Sequence, residues 1–157
     1  MAQALALLAW IAVCVGGGAL VGVFTNGGTS PWYLGLTKPA WNPPSWIFAP
    51  VWTTLYALMG IAAWRIWRRG GWRTNAPALN LFVAQLIVNF AWSFFFFSFH
   101  QIALALVDIA LLWLLIVLTI RRFGGIDRTA ALLLTPYLAW VTFATALNAV
   151  LLRLNGG

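Results

Sequence analysis

The feature that most constrains this chain is its division into five apolar runs, each about as long as a bilayer is thick. They fall near Ala4–Phe24, Pro44–Trp67, Pro77–Phe99, Ile102–Ile120 and Thr129–Leu152. About 20 apolar residues cross the hydrocarbon core as a helix. Within lipid a helix satisfies its own backbone polar groups, which an open loop or sheet edge cannot do. The composition agrees: 63% of residues are hydrophobic and 7% charged, against about 45–50% and about 25% in ordinary soluble domains. We therefore expect an all-α integral membrane protein, a bundle of five transmembrane helices forming one domain over residues 1–157. Short connections such as "SFHQ" and "RRFGGIDR" imply antiparallel neighbours. The first run lacks a basic n-region and exceeds a typical signal-peptide core, so it reads as a retained span.

Charge orients the bundle. Arg65, Arg68, Arg69 and Arg73 form one cluster between spans, and Arg121, Arg122 and Arg128 form another. Both fall on the N-terminal side of a five-span chain, whereas Lys38 and Arg153 fall on the other. The positive-inside rule then predicts a cytoplasmic N terminus in a bacterial cell membrane. Basic residues distributed this way mark juxtamembrane loops, so the net charge of +7 does not point to nucleic acid. Catalytic parts are few. A single cysteine, Cys14, allows no intrachain disulfide and no multi-cysteine metal site. One histidine, His100, and two acids, Asp108 and Asp127, complete the inventory. No metal and no cofactor are expected.

One segment is unusual. "KPAWNPPSWIFAPVWTTLY", Lys38 to Tyr56, crowds four prolines and three tryptophans around the entry of the second span. Pro43 and Pro44 suit a helix start, where their missing N–H is no loss. Pro50, near the second turn, is expected to bend the helix and free a carbonyl. The loop ahead of it is too long and too ring-rich for a simple turn, and long loops in compact proteins are usually functional. Trp32, Tyr33, Pro39 and Trp41 are expected to fold over the outer end of the bundle and cap a cavity. Trp10, Trp64, Trp67 and Trp72 read instead as an interfacial aromatic belt.

Helical spacing adds a polar stripe. Gln85, Asn89 and Ser93 share one face of the third span, Trp140, Ala144 and Asn148 one face of the fifth, and Phe48, Trp52 and Tyr56 one face of the second. Such polar groups belong against other helices or in a cavity. From spacing alone, interhelical hydrogen bonding and a ligand pocket are both open readings. Asp108, inside the fourth span, is read as a packing group in preference to a proton relay. His100 is read as an interfacial loop residue and Cys14 as a packing residue. Gly18 and Gly22 form a G-x-x-x-G pair that permits close helix approach.

The stretches "KPAWNPPSWIFAPVWTTLYALMGIA", "QLIVNFAWSFFFF", "ALVDIALL" and "PYLAWVTFATALN" resemble the translocator protein family, the tryptophan-rich sensory proteins or peripheral-type benzodiazepine receptors. The likeness covers nearly the whole chain. It implies binding of porphyrins such as protoporphyrin IX, and of isoquinoline or benzodiazepine-type compounds, in a cavity that opens toward the first long loop. Matched motif by motif, the implied ligand-binding residues are Tyr33, Pro43, Trp52, Asn89, Trp92, Ser93, Trp140, Ala144 and Asn148. From charge and side alone, Lys38 or Arg153 is read as facing porphyrin propionates. The resemblance also implies a homodimer formed through the third helix, assigned here to Ala84 and Ala91. Ala149 and Val150 stand where cholesterol-binding members carry a tyrosine pair, which weighs against a sterol as physiological ligand. Tetrapyrrole transport, sensing or stress regulation is the expected role. The alternatives are light-dependent porphyrin breakdown with Trp52 and Trp140 as electron donors, and a small-solute exporter or channel.

Overall fold

A computed structural model describes residues 2–156. Its five long apolar helices are Ala2–Thr25, Ser45–Trp67, Gly71–Ser98, Ile102–Gly124 and Arg128–Asn155, hereafter the first to fifth spans. No strand occurs among the described residues. One span starts well away from its expected end and another is interrupted. The third begins at Gly71, six residues before Pro77, because Asn75 adopts a non-helical conformation (φ −117°, ψ 24°) that admits the proline. Its side-chain Nδ2 donates to the carbonyls of Ile66 and Arg69, each at 3.2 Å, and seals the turn between the second and third spans. The fifth span breaks at Leu134 and resumes at Thr135–Pro136, with the proline in the first turn where no N–H is missed. Pro50 lies within an unbroken second span.

The bundle is solid at one end. At the end that carries the N terminus, Met59, Ala62, Ile66, Leu79, Phe82, Ile116, Phe123 and Ala130 are wholly buried. Small residues bring backbones together there: a Cβ on Gly60 would lie 2.7 Å from the Cα of Ile11, so only glycine lets the first and second spans meet. The same end is tied electrostatically. Asp127 caps the fifth span by accepting from the N–H of Ala130 at 3.1 Å. Its Oδ1 also accepts from Arg65 at 3.1 Å, and its Oδ2 lies 3.0 and 3.1 Å from Arg65 and Arg69. Burial alone would raise this carboxyl's pKa; the hydrogen bonds from Arg65 and Ala130, with both arginine charges, outweigh it and hold the carboxyl below its ordinary range.

The other end carries the long loop. The first span stops at Asn26, which takes the left-handed conformation (φ 50°) that asparagine tolerates. Ser30 then starts a short helix, Pro31–Gly35, its hydroxyl accepting from the N–H of Tyr33 at 3.2 Å and Pro31 filling the first turn. The loop is clamped to the fifth span: Thr37 N–H donates to Asn155 Oδ1 at 2.8 Å, and Asn155 Nδ2 donates back to the Thr37 carbonyl at 2.9 Å. Trp32 stacks on His100 (4.2 Å) and Trp41 packs against Phe143 (5.7 Å), so rings of the loop rest on the ends of the third and fifth spans.

Candidate functional site

Toward the end that carries the loop the bundle is hollow. A cavity of about 740 Å³ lies between the first, second, third and fifth spans, within the size range of small-molecule sites. Its walls follow from helical register. Phe48, Trp52 and Tyr56 descend one face of the second span, and Trp52 stacks on Tyr56 with centroids 5.3 Å apart. Trp140 closes the side by meeting Phe48 edge-on at 6.0 Å. Trp92 and Phe96, stacked at 5.1 Å, line the third span's wall. The first span contributes little bulk: Gly18 and Gly22 both border the cavity. Among the described lining residues none is charged.

Of the nine residues singled out from sequence, eight border this one space: Tyr33, Trp52, Asn89, Trp92, Ser93, Trp140, Ala144 and Asn148. Pro43 does not. It sits in the extended approach to the second span, its carbonyl accepting from Asn42 Nδ2 at 2.9 Å, and the wall begins two residues later at Ser45 and Trp46. Lys38 and Arg153 do not border it either. The Lys38 ammonium donates to the carbonyls of Leu34 and Leu36, each at 3.1 Å, and lies 4.7 Å from the Tyr33 ring centre. Tyr33 is buried, with its ring against Phe97 at 5.5 Å; burial raises its phenol pKa above the ordinary value, and the polar side chain of Asn42 works the other way.

The polar stripe makes interhelical hydrogen bonds, and two of its members, Asn89 and Ser93, border the cavity. Tyr56 Oη donates to Asn89 Oδ1 at 2.5 Å, Asn89 Nδ2 donates to Tyr137 Oη at 3.0 Å, and Tyr137 Oη donates to Gln85 Oε1 at 2.8 Å. This relay stitches the second, third and fifth spans together at the floor of the cavity. Nearer the mouth, Trp92 Nε1 donates to Asn148 Oδ1 at 3.0 Å, and Asn148 Nδ2 donates to the Ile102 carbonyl at 3.0 Å. Ser93 borders the cavity with no side-chain hydrogen bond among the described residues. The amides of Asn89 and Asn148 are thus held by their neighbours, while the remaining wall is mainly rings with a few hydroxyls.

Sequence reasoning did not single out Tyr137, the centre of the relay, nor Phe96, Phe97 and Phe143 of the wall. Tyr137, Val141, Ala144 and Asn148 share a helical face, and extending the fifth-span stripe one turn back would have found the tyrosine. Asp108 is half-buried, with Oδ2 shielded and unpartnered among the described residues. Ala84 and Ala91 are half-buried and share a face with Ile87, which is exposed. Gly18 faces Tyr56 inside the bundle, whereas Gly22 has open space beside it. Among the described residues no cluster of three metal-ligating side chains occurs.

Comparison with known proteins places this architecture. The TspO/MBR family model matches residues 10–154. The tryptophan-rich protein TspO of Chlorobaculum tepidum is 43% identical over 155 residues, covering 98% of either chain. The translocator protein of Bos taurus is 42% identical over 134 residues, 84% of this chain and 79% of that one. The tryptophan-rich sensory protein of Cereibacter sphaeroides is 42% identical over 124 residues, 79% of this chain and 77% of that one. Five membrane-crossing helices, the hollow end and these matches together make the chain a multi-pass membrane protein that belongs to the TspO/MBR family.

Proposed function

We propose that the chain is a membrane receptor for porphyrin-type tetrapyrroles, protoporphyrin IX or haem-like, and acts in their transport, sensing or stress regulation. Family membership and relatives named translocator and sensory proteins support a membrane ligand-binding or sensory role; none of the relatives compared is named as an enzyme. The observation that carries the finer reading is the uncharged, ring-lined cavity. A flat conjugated ligand gains stacking area on Trp52, Trp92 and Trp140, and such aromatic contacts contribute about 0.5–1.5 kcal/mol each beyond area burial. Isoquinoline and benzodiazepine-type compounds fit the same walls. In this reading Tyr33, Trp52, Asn89, Trp92, Ser93, Trp140, Ala144 and Asn148 form the site, and the loop around Tyr33 caps it. Because no cation is among the described lining residues, this reading has the propionates of a bound porphyrin point out of the cavity.

The test is a titration in the dark. Protoporphyrin should quench the tryptophan fluorescence of purified protein saturably, and Trp140→Ala should weaken binding at least about tenfold, the equivalent of roughly 1.4 kcal/mol. Unsaturable quenching, equal in both proteins, would overturn the assignment. The bacterial cell membrane, a cytoplasmic N terminus and dimerisation through the Ala84–Ala91 face belong to the same proposal. Protease mapping of sealed vesicles and crosslinking at Ile87→Cys test them.

A second reading has one observation in its favour. Trp52 contacts both Tyr56 and Tyr137, at 5.3 and 6.2 Å between ring centres, which offers an oxidised indole two phenols to draw on. Light-dependent porphyrin breakdown predicts loss of the Soret band faster than for free porphyrin, abolished in the Trp52→Phe/Trp140→Phe double variant.

A further inference from the structure

At the end opposite the cavity lies a second recess, of about 440 Å³, bordered by Gln3 of the first span and by Trp64, Arg68 and Arg69 at the end of the second. The ligand reading does not use it. Both guanidinium groups and the indole N–H are donors without acceptor capacity. Charge balance leaves the recess positive. Arg65, Arg68 and Arg69 share one carboxylate, Asp127, which faces Arg65 and Arg69. The chain's other acid, Asp108, lies about two turns into the fourth span from its Ile102 end, so Arg68 has no carboxylate partner among the described residues. Its guanidinium lies 4.8 Å from the Trp64 ring centre. The Trp64 Nε1–H is shielded from solvent and meets no acceptor among the described residues. Buried donors of that kind call for an explanation. An anionic oxygen arriving between indole and guanidinium would supply the missing acceptor.

We propose that this recess binds the phosphate group of an anionic membrane lipid. A soluble phosphate offers the same head chemistry, but the position favours the lipid. The recess sits at the ends of two spanning helices, where headgroups lie. One turn further into the bilayer, the same faces carry Leu7, four residues after Gln3, and Ile61, three residues before Trp64, both half-buried. A lipid can therefore set its phosphate against Arg68, Arg69 and Trp64 and lay an acyl chain along Leu7 and Ile61. Basic pockets between transmembrane helices are a recognised setting for acidic headgroups.

Native mass spectrometry of the detergent-solubilised protein tests this, with dioleoyl phosphatidylglycerol, dioleoyl phosphatidylcholine and inorganic phosphate as probes. Phosphatidylglycerol should bind at least about fivefold tighter than phosphatidylcholine, as one basic contact near the surface allows. Arg68→Gln should remove that preference while leaving the Asp127 ion pairs intact. Trp64→Phe keeps the ring and deletes the N–H, and should weaken phosphatidylglycerol binding. Equal affinity for the two lipids, or an unchanged preference in Arg68→Gln, would overturn the site. Displacement of phosphatidylglycerol by millimolar inorganic phosphate would overturn the lipid assignment and give the recess to soluble phosphates. Porphyrin titration of the same variants should match wild type, which keeps this result separate from the cavity.

Discussion

Replacing Tyr137 by phenylalanine isolates the relay at the cavity floor. The ring is 1% exposed and keeps its packing, so the change removes one oxygen and little else. Two hydrogen bonds go with it: the one that Tyr137 Oη donates to Gln85 Oε1, and the one that it accepts from Asn89 Nδ2. Interhelical side-chain bonds in a membrane protein average about 0.6 kcal/mol, which sets a floor of about 1.2 kcal/mol for the pair. Gln85 and Asn89 are both buried, however, and Gln85 Nε2 is already without a partner among the described residues. An acceptor left stranded costs about 1–3 kcal/mol. We expect a loss of about 1.5–3 kcal/mol in unfolding free energy, measured by denaturant titration in mixed micelles. Adding Gln85→Leu to Tyr137→Phe should recover part of it, because the stranded acceptor leaves as well. Porphyrin affinity should also fall, since Trp52 leans on the Tyr137 ring at 6.2 Å and Tyr56 loses the anchored partner that orients it. If Tyr137→Phe unfolds within about 0.3 kcal/mol of wild type, the relay is not holding the three helices and the reasoning fails.

Further outcomes follow from the same coordinates. Gly60→Ala should destabilise the bundle by about 1–3 kcal/mol in the same titration, because the added methyl meets the backbone of Ile11, which cannot rotate aside. Gly22→Ala, with open space beside it, should leave unfolding unchanged, whereas Gly18→Ala should press on the Tyr56 ring and reduce porphyrin affinity in the quenching assay. The Asp127 carboxyl is held below its ordinary value when folded, so its contribution is present above the unfolded-state pKa and is lost as pH falls through the lower folded one. Stability of the wild type should therefore decline on acidification below about pH 4, and Asp127→Asn should be less stable at neutral pH with a flatter profile over that range. Protoporphyrin dimethyl ester should bind at least as tightly as the free acid, given a cavity without a bordering cation; a large loss on esterification would refute the uncharged-cavity argument.

The five spans were legible because each apolar run matches a bilayer thickness, and their antiparallel order followed from short connections. Their ends were less so. Pro77 reads as a helix start, yet the helix begins at Gly71, because Asn75 bonds back to the preceding turn and absorbs the irregularity. No residue pattern announces that arrangement. Part of the cavity wall, from Phe48, Trp52 and Tyr56 to Trp140, Ala144 and Asn148, was visible as four-residue spacings, which fix faces but not what a face meets. That Asn89 bonds Tyr56 and Tyr137, leaving the rings and Ser93 turned to the space, depends on three helices converging. The propionate role read for Lys38 and Arg153 rested on charge and side alone, and neither residue borders the cavity; the Lys38 ammonium is taken by carbonyls of its own loop.

The close approach at Gly60 works as the spring end of a clothes peg. It fixes the first and second spans at one end, and among the described residues no side-chain hydrogen bond joins these two spans farther along. The free jaws, bordered by Gly22 on one side and Ala49 on the other, can therefore widen for a bulkier guest without breaking a polar contact. Under the proposed function, guests of quite different girth would be acceptable, and discrimination between them would fall to the flat surfaces of the opposite wall.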